Sequence, residues 1–478
     1  MEAEGAERGR SAKMGTAPEG KLLFGMAVPL SISMLIQALY NIVDSIFVSY
    51  IGENALTAVS LAYPMYMLMI SVAVGTGVGI NSLISRRLGA RQGAEANKAA
   101  STGMIVMLCS AAVFVLFGIF GVKPFIHAYT QNEEVRSMGV TYLSICCIVN
   151  AGLFMQIFCE RVMQAQGKNL YAMLMQLVGA VINIIFDPIL IFGLCGFPKM
   201  GIAGAAVATV AGQVVGMLFS FLMVFSKRSE VRVSLRSFRP EARVVRDIYA
   251  VGFPSIVLQA IGTVMNLVMN AILIGFTETA VAVFGVYFKV QSFALMPLFG
   301  MTNAAMSIMA YNFGARNRQR LMRTWRLTMR AGIVMMVLFT AFFLLLPDEI
   351  LSLFNASPDM LAIGRSALTV MPLCLPIAAA SISMSVVFQA VGDGFYSMLL
   401  SIARQLVVLV PAAWLLARLT NDVTLVWWSF PIAEVLSLFL CIFLFVRTYR
   451  QRIAPLDLPA GEGAPSLSPL LSPTSADR

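Results

Sequence analysis

Charge is what this sequence has least of. Only 12% of its 478 residues are Asp, Glu, Lys or Arg, against about 25% in a soluble domain. A large water-soluble core is therefore excluded. Histidine is nearly absent, with His127 alone, in an expected outer loop and without a ligand partner. The seven cysteines (Cys109, Cys146, Cys147, Cys159, Cys195, Cys374, Cys441) form no Cys-x-x-Cys motif, and only Cys195 falls clearly in a loop. They read as small buried apolar residues, not as disulfides or metal ligands. No nucleophile–base pair stands out, so an enzyme is not expected, nor is a cofactor. No cleavable leader is expected either. Met1–Gly20 is polar with both signs of charge, and the apolar run after it exceeds the roughly 7–15 residues of a signal-peptide core.

What is present is apolar sequence: 59% hydrophobic residues and a mean hydropathy of +0.82. Segments long enough to span a bilayer fall at 22–50, 55–85, 99–121, 137–160, 170–194, 200–226, 248–276, 279–310, 328–347, 361–390, 397–417 and 424–446. The expectation is an all-α polytopic membrane protein with twelve transmembrane helices. Prolines inside several spans, Pro29, Pro188 and Pro254 among them, are tolerated where neighbours re-satisfy the freed carbonyls.

The net charge of +10 could suggest nucleic acid, but its distribution does not. Nineteen Lys and Arg lie in the even-numbered loops, Arg86, Arg161 and Lys168 among them, and five in the odd-numbered ones. Basic residues gather on the cytoplasmic side, so both termini are placed there, in a multi-pass cell (inner) membrane protein. The basic runs read as topogenic and lipid-facing, with no nucleic-acid partner.

The chain also repeats itself at an offset of 225 residues. Pro29 pairs with Pro254, Asn41 with Asn266, Gly75 with Gly300 and Tyr171 with Tyr396. Leu-Gly-Ala-Arg at 88–91 answers Phe-Gly-Ala-Arg at 313–316, and Gln164-Ala165-Gln166-Gly167 answers Gln389-Ala390-Val391-Gly392. Six helices per copy give parallel repeats, that is, two six-helix lobes related by pseudo-two-fold symmetry with a cavity between them. The expected division is a cytoplasmic tail 1–20, an N-lobe 21–226, a flexible basic linker 227–247, a C-lobe 248–447 and a tail 448–478, disordered from Ala454.

A polar stripe crosses the first span. Gln37, Asn41 and Asp44 are spaced i, i+4, i+7 and share one helix face. A charge near mid-span costs about 2.5–3.5 kcal/mol, so intramembrane acids are functional candidates by default. Asp44 and Asp187 lie at a shared depth near the outer ends of helices 1 and 5, and Asn183 sits one turn before Asp187. Two carboxylates with amide and hydroxyl oxygens suit Na⁺, and equally suit a shared proton. Gln37, Tyr40, Asn41 and Tyr142 are candidates to line a substrate pocket or relay protons, with interhelical polar contact as the alternative. In the C-lobe, Lys289 and Glu434 are expected to pair structurally, with a coupling role for Glu434 as the alternative, and Arg404 to snorkel. Gly75-Thr76-Gly77-Val78-Gly79 looks like a phosphate loop but lies inside a span, where close helix packing explains it.

The chain resembles the multidrug and toxic-compound extrusion (MATE) family. The matching text is Pro29, Leu39-Tyr40-Asn41-Ile42-Val43-Asp44, Ile51-Gly52, Gly75-Thr76-Gly77-Val78-Gly79, Gln166-Gly167, Asn183-Ile184-Ile185-Phe186-Asp187-Pro188 and Tyr311-Asn312-Phe313-Gly314-Ala315. The resemblance implies a V-shaped pair of lobes exporting cationic or amphiphilic drugs against inward H⁺ or Na⁺, as a monomer. It is similar to the DinF-like branch, whose ion site falls here on Asp44, Asn183, Asp187 and Thr209. The acids of the NorM-like branch on helices 7 and 10 are missing. A flippase for a lipid-linked or other amphiphile is the alternative, opposed by twelve rather than fourteen helices and few central cations. A receptor or scaffold would need a soluble domain, and none is expected from this sequence.

Overall fold

The computed structural model describes residues 12–226, 229–234, 241–354 and 356–457. Among them all regular structure is helical. Without water in a bilayer core, each span must satisfy its own backbone, and apolar runs of this length do so as helices. Eleven straight or gently interrupted helices and one bent pair account for twelve spans. They are α1 Glu19–Ser49, α2 Glu53–Gly89, α3 Gly93–Tyr129, α4 the pair Glu133–Ile148 and Ala151–Ala165 meeting at 45°, α5 Asn169–Phe192 and α6 Ile202–Val224. The second copy comprises α7 Ala242–Leu273, α8 Glu278–Gly314, α9 Arg318–Leu345, α10 Pro358–Val391, α11 Gly394–Thr420 and α12 Val423–Leu456. α1 runs unbroken through Pro29. Where helices stop, sequence supplies the cap. Asn132 Oδ1 accepts from Glu134 N at 3.0 Å before α4, and Gly193 takes a left-handed φ of 75° after α5.

Two main hydrophobic cores form, one largely among the first six helices and one largely among the last six, with a small third cluster of Met384, Leu400 and Cys441. The lobes meet at the end that carries the basic loops, and the meeting obeys the 225-residue repeat. A Cβ on Gly89 would sit 1.8 Å from the Tyr311 carbonyl oxygen, and one on Gly314 would sit 1.9 Å from the Arg86 carbonyl oxygen. About four turns deeper, a Cβ on Gly75 would lie 2.6 Å from Ile256 N and one on Gly300 2.6 Å from Ser31 N. In each reciprocal pair the partner residues, 86 with 311 and 31 with 256, are themselves 225 apart. Only glycine allows backbones this close. Across the same seam Ser82 Oγ donates to Gln389 O at 2.6 Å and Ser307 Oγ to Asn81 Oδ1 at 3.2 Å.

Several sequence expectations change here. Arg86 is not lipid-facing: it is buried in the seam, donating to Ser82 O at 3.3 Å and Val391 O at 3.5 Å. The polar N-terminal tail contains a docked turn, Lys13–Thr16, with Met14 buried. Asn312 Nδ2 donates to Met14 O at 3.0 Å and Arg320 Nη2 to Ala17 O at 2.5 Å. The linker expected to be flexible packs on the N-lobe over 229–234, where Glu230 N donates to Gln166 Oε1 at 2.7 Å and Arg232 N to Asn97 Oδ1 at 2.7 Å. The C-terminal tail stays helical through Asp457, and Arg452 pairs with Asp393 at 3.0 Å. Residues 1–11, 227–228, 235–240, 355 and 458–478, with most of the tail expected to be disordered, lie outside the described residues.

Candidate functional site

The site grows from a helix contact that glycine makes possible. α5 and α6 approach so closely at Gly179 and Gly212 that a Cβ on Gly212 would lie 2.6 Å from Gly179 O. One turn from each glycine stand Asn183 and Thr209, and the close approach brings these two polar side chains together. The Asn183 amide lies 3.3 Å from Thr209 Oγ1 and 3.4 Å from Asp187 Oδ1. Turned over, the same amide donates to Asp187 Oδ2 at 3.1 Å and accepts from Thr209 N at 3.2 Å, which satisfies both its ends.

Asp187 is fully buried, 0% exposed, and its carboxyl group faces that of Asp44 within electrostatic interaction range, α1 presenting Asp44 from the other side. Two buried carboxylates face each other in this way only with a proton between them or a cation across them. Among the described residues Asp44 Oδ1 is buried without a donor, which leaves one oxygen unused. Tyrosines surround the pair. Tyr40 and Tyr66 lie within electrostatic reach of each other, Gln213 Nε2 donates to Tyr66 Oη at 3.1 Å, and Tyr142 is buried within electrostatic reach of Asp44. The expected set Asp44, Asp187, Asn183, Thr209, Tyr40 and Tyr142 is thus brought together. Gln37 lies on the cavity wall below it. Asn41 is on the same helix, with its side chain outside what the structure describes.

A cavity of about 250 Å³ runs from this cluster toward the basic-loop end of the N-lobe. Met34, Met67, Ile70 and Leu153 give it apolar walls, and Asn303 of α8 closes one side from the other lobe. Its polar lining includes Tyr66, Gln156, Glu160, Arg161, Gln164 and Gln213, none of which the sequence reading assigned to a site. Arg161 was expected in the fourth loop. Because α4 bends and continues to Ala165, Arg161 stands inside the helix, 9% exposed, on the cavity wall. Its signal was the unbroken apolar spacing past residue 160.

In the C-lobe, Glu434 pairs with Arg404 at 3.0 Å and not with Lys289. Lys289 is exposed on α8 and makes no ion pair among the described residues. Arg404 therefore turns inward and does not snorkel. Among the cysteines, Cys109 joins Cys195 as exposed, and the other five are buried.

Comparison with known proteins places the fold in a family. A family model, MatE, matches residues 29–189 and 254–415. The chain belongs to the MatE family. The two matched stretches start 225 residues apart, the offset of the internal repeat. Among MatE-like relatives, the multidrug export protein MepA of Staphylococcus saprophyticus is 25% identical over 435 residues, covering 91% of this chain and 94% of the relative. The FAD transporter of Shewanella oneidensis is 24% identical over 437 residues, 90% of this chain and 95% of the relative. An outward-facing multidrug resistance MATE transporter superposes with a TM-score of 0.87 at 27% identity, over 94% of this chain and 99% of that one. A MOP superfamily transporter from Pyrococcus furiosus gives 0.86 at 27% identity, over the same shares. The MatE chain is a multi-pass, two-lobed membrane transporter and not an enzyme.

Proposed function

We propose that this protein is a secondary multidrug antiporter that exports cationic or amphiphilic drugs in exchange for inward H⁺ or Na⁺. It works by alternating access as a monomer in the cell membrane, with both termini in the cytoplasm and the lobes at 21–226 and 248–447. The observation that carries this reading is the Asp44–Asp187 pair in a single lobe, backed by relatives named for multidrug export. An inward-moving ion neutralises the pair. Asp44, Asp187, Asn183 and Thr209 offer the hard oxygen donors that Na⁺ takes, and the pair of acids alone is enough for H⁺. Gln37, Tyr40, Asn41 and Tyr142 link this ion site to the cavity, as substrate contacts or a proton relay. The ion shifts the lobes only through its different affinity for the two states. α1 spans both ion site and cavity, so repacking α1 when the pair is neutralised would change the cavity that holds the drug.

The test is dye efflux from proteoliposomes under a Na⁺ gradient alone and a pH gradient alone. One gradient is expected to drive uphill efflux, and Asp44→Asn to abolish it while the protein still reconstitutes. Uphill transport by that variant would show that the ion binds elsewhere.

A further inference from the structure

The ion site leaves two charged cavity residues unexplained. Arg161 and Glu160 stand at the floor of the N-lobe cavity, one turn from the end of α4. Arg161 is 9% exposed, yet its guanidinium makes one hydrogen bond, from Nη1 to Gln164 Oε1 at 3.0 Å, and no ion pair among the described residues. Its Nε is buried without an acceptor among the described residues. A buried cation is costly. Arg404 is matched by Glu434 and Arg452 by Asp393 in direct ion pairs, and Arg86 by two seam carbonyls. Among the described residues Arg161 has only the adjacent Glu160 within electrostatic reach and one amide oxygen in hydrogen-bond contact. The group is also held in place. Gly77 of α2 lies against its stem, where a Cβ would come 2.7 Å from Arg161 Cγ. Beside it Glu160 accepts from Gln156 Nε2 at 3.2 Å and likewise has no ion-pair partner among the described residues. The floor therefore presents a donor fork and an acceptor side by side, under walls of Met and Leu.

We propose that this floor is a substrate subsite for zwitterionic amphiphiles, with Arg161 taking the carboxylate and Glu160 the ammonium. The fork of a guanidinium matches a carboxylate in two parallel hydrogen bonds, which an ammonium at this position could not do. The apolar part of the substrate lies along Met34, Met67 and Ile70 toward the tyrosines. This assignment rests on the transporter reading above and concerns which cargo the cavity prefers.

Two dansyl probes that differ by one carboxylate decide it. Nε-dansyl-lysine is a zwitterion, and dansylcadaverine is the same molecule decarboxylated. Binding to the purified full-length protein is followed by dansyl fluorescence. Wild type should bind the zwitterion at least about 10-fold more tightly, the range of a charge-assisted hydrogen bond. Arg161→Gln should erase that preference while moving the dansylcadaverine Kd less than about two-fold, and Arg161→Lys should restore part of it. Glu160→Gln should weaken both probes. Equal or weaker binding of the zwitterion by wild type overturns the subsite without any variant. So does a parallel loss of both probes in Arg161→Gln, which would make the residue structural. Gradient-driven efflux is read separately: its absence would sink the antiport reading and leave the binding preference to stand or fall alone.

Discussion

In the C-lobe the buried acid Glu434 faces a base, with Arg404 Nη1 3.0 Å away. In the N-lobe the buried acid Asp187 faces another acid, Asp44. The lobes are copies, and the 225-residue offset carries Gly179 to Arg404 and Thr209 to Glu434. The same helix seam is therefore closed in one lobe by glycines and in the other by an ion pair. The offset also carries Asp44 to Met269 and Asp187 to Ala412, so the acid pair occurs once. A charge matched by its counter-charge can be purely structural. A carboxylate matched by a carboxylate needs something mobile between them. On the proposed antiport reading, the comparison gives the C-lobe charges a stabilising role and those of the N-lobe the coupling role.

The largest effect should come from breaking the N-lobe side. Asp187→Asn keeps size and hydrogen bonding but removes the shared proton or cation. Uphill export in proteoliposomes is expected to vanish, with the thermal midpoint unchanged or raised, because a buried like-charge pair has gone. The C-lobe should respond the other way. Glu434→Leu strands Arg404, whose side chain is only 23% exposed, and should cost about 3 kcal/mol of stability. The double variant Arg404→Met/Glu434→Leu should recover most of that loss, and both should keep gradient-driven efflux. If the double variant loses coupling while remaining folded, the C-lobe pair takes part in transport and the division of roles is wrong.

How much of this could be read from sequence depends on how isolated each charge is. Asp44 and Asp187 stood out because acids inside apolar spans are rare, and Asn183 followed from its one-turn spacing. The twelve spans and the repeat were equally visible. Arg161 and Arg86 were not, because a base near a helix end reads the same whether it faces lipid, water or a cavity. Only the bend of α4 and the seam between lobes settle that. The pairing of Glu434 with Lys289 failed because depth along two helices does not fix which faces meet. The repeat held the answer. Arg404 and Glu434 sit at the counterparts of Gly179 and Thr209, on the seam where α5 meets α6. Tyr66 and Gln213 carried no signal, since uncharged polar residues are common among packed membrane helices.

A smaller perturbation probes that seam. Gly212→Ala would set a methyl group 2.6 Å from Gly179 O and 3.1 Å from Asn183 Cβ. Overpacking of this kind costs about 1–3 kcal/mol. Because the displaced side chain is Asn183, the ion concentration for half-maximal efflux should rise several-fold as well. Ser437 fills the matching place in the C-lobe, and Ser437→Ala should leave that concentration unchanged. A shift in both would mean that seam spacing matters generally and not through the ion site.

The smallest effect is expected from a pair that lies outside both seams. Arg365 Nε and Nη2 donate to Asp348 Oδ1 and Oδ2 at 2.5 and 2.7 Å, at the exposed turn between α9 and α10. The guanidinium holds the Asp348 carboxyl below its ordinary value of 3.8. A depressed carboxyl contributes stability above its unfolded pKa and loses it as the pH falls through the folded one. The pair therefore helps at neutral pH and stops helping only in strong acid. Both groups are solvated, so salt screens the attraction and little remains at physiological ionic strength. Asp348→Asn should move the thermal midpoint by less than a degree at neutral pH, and the difference should shrink further in molar salt. Efflux should be indifferent to it. A charge pair with good geometry and no burial then gives the baseline against which Arg404–Glu434 and Asp44–Asp187 are judged, and a loss of efflux in Asp348→Asn would mean that the outer turn of the C-lobe moves in the transport cycle.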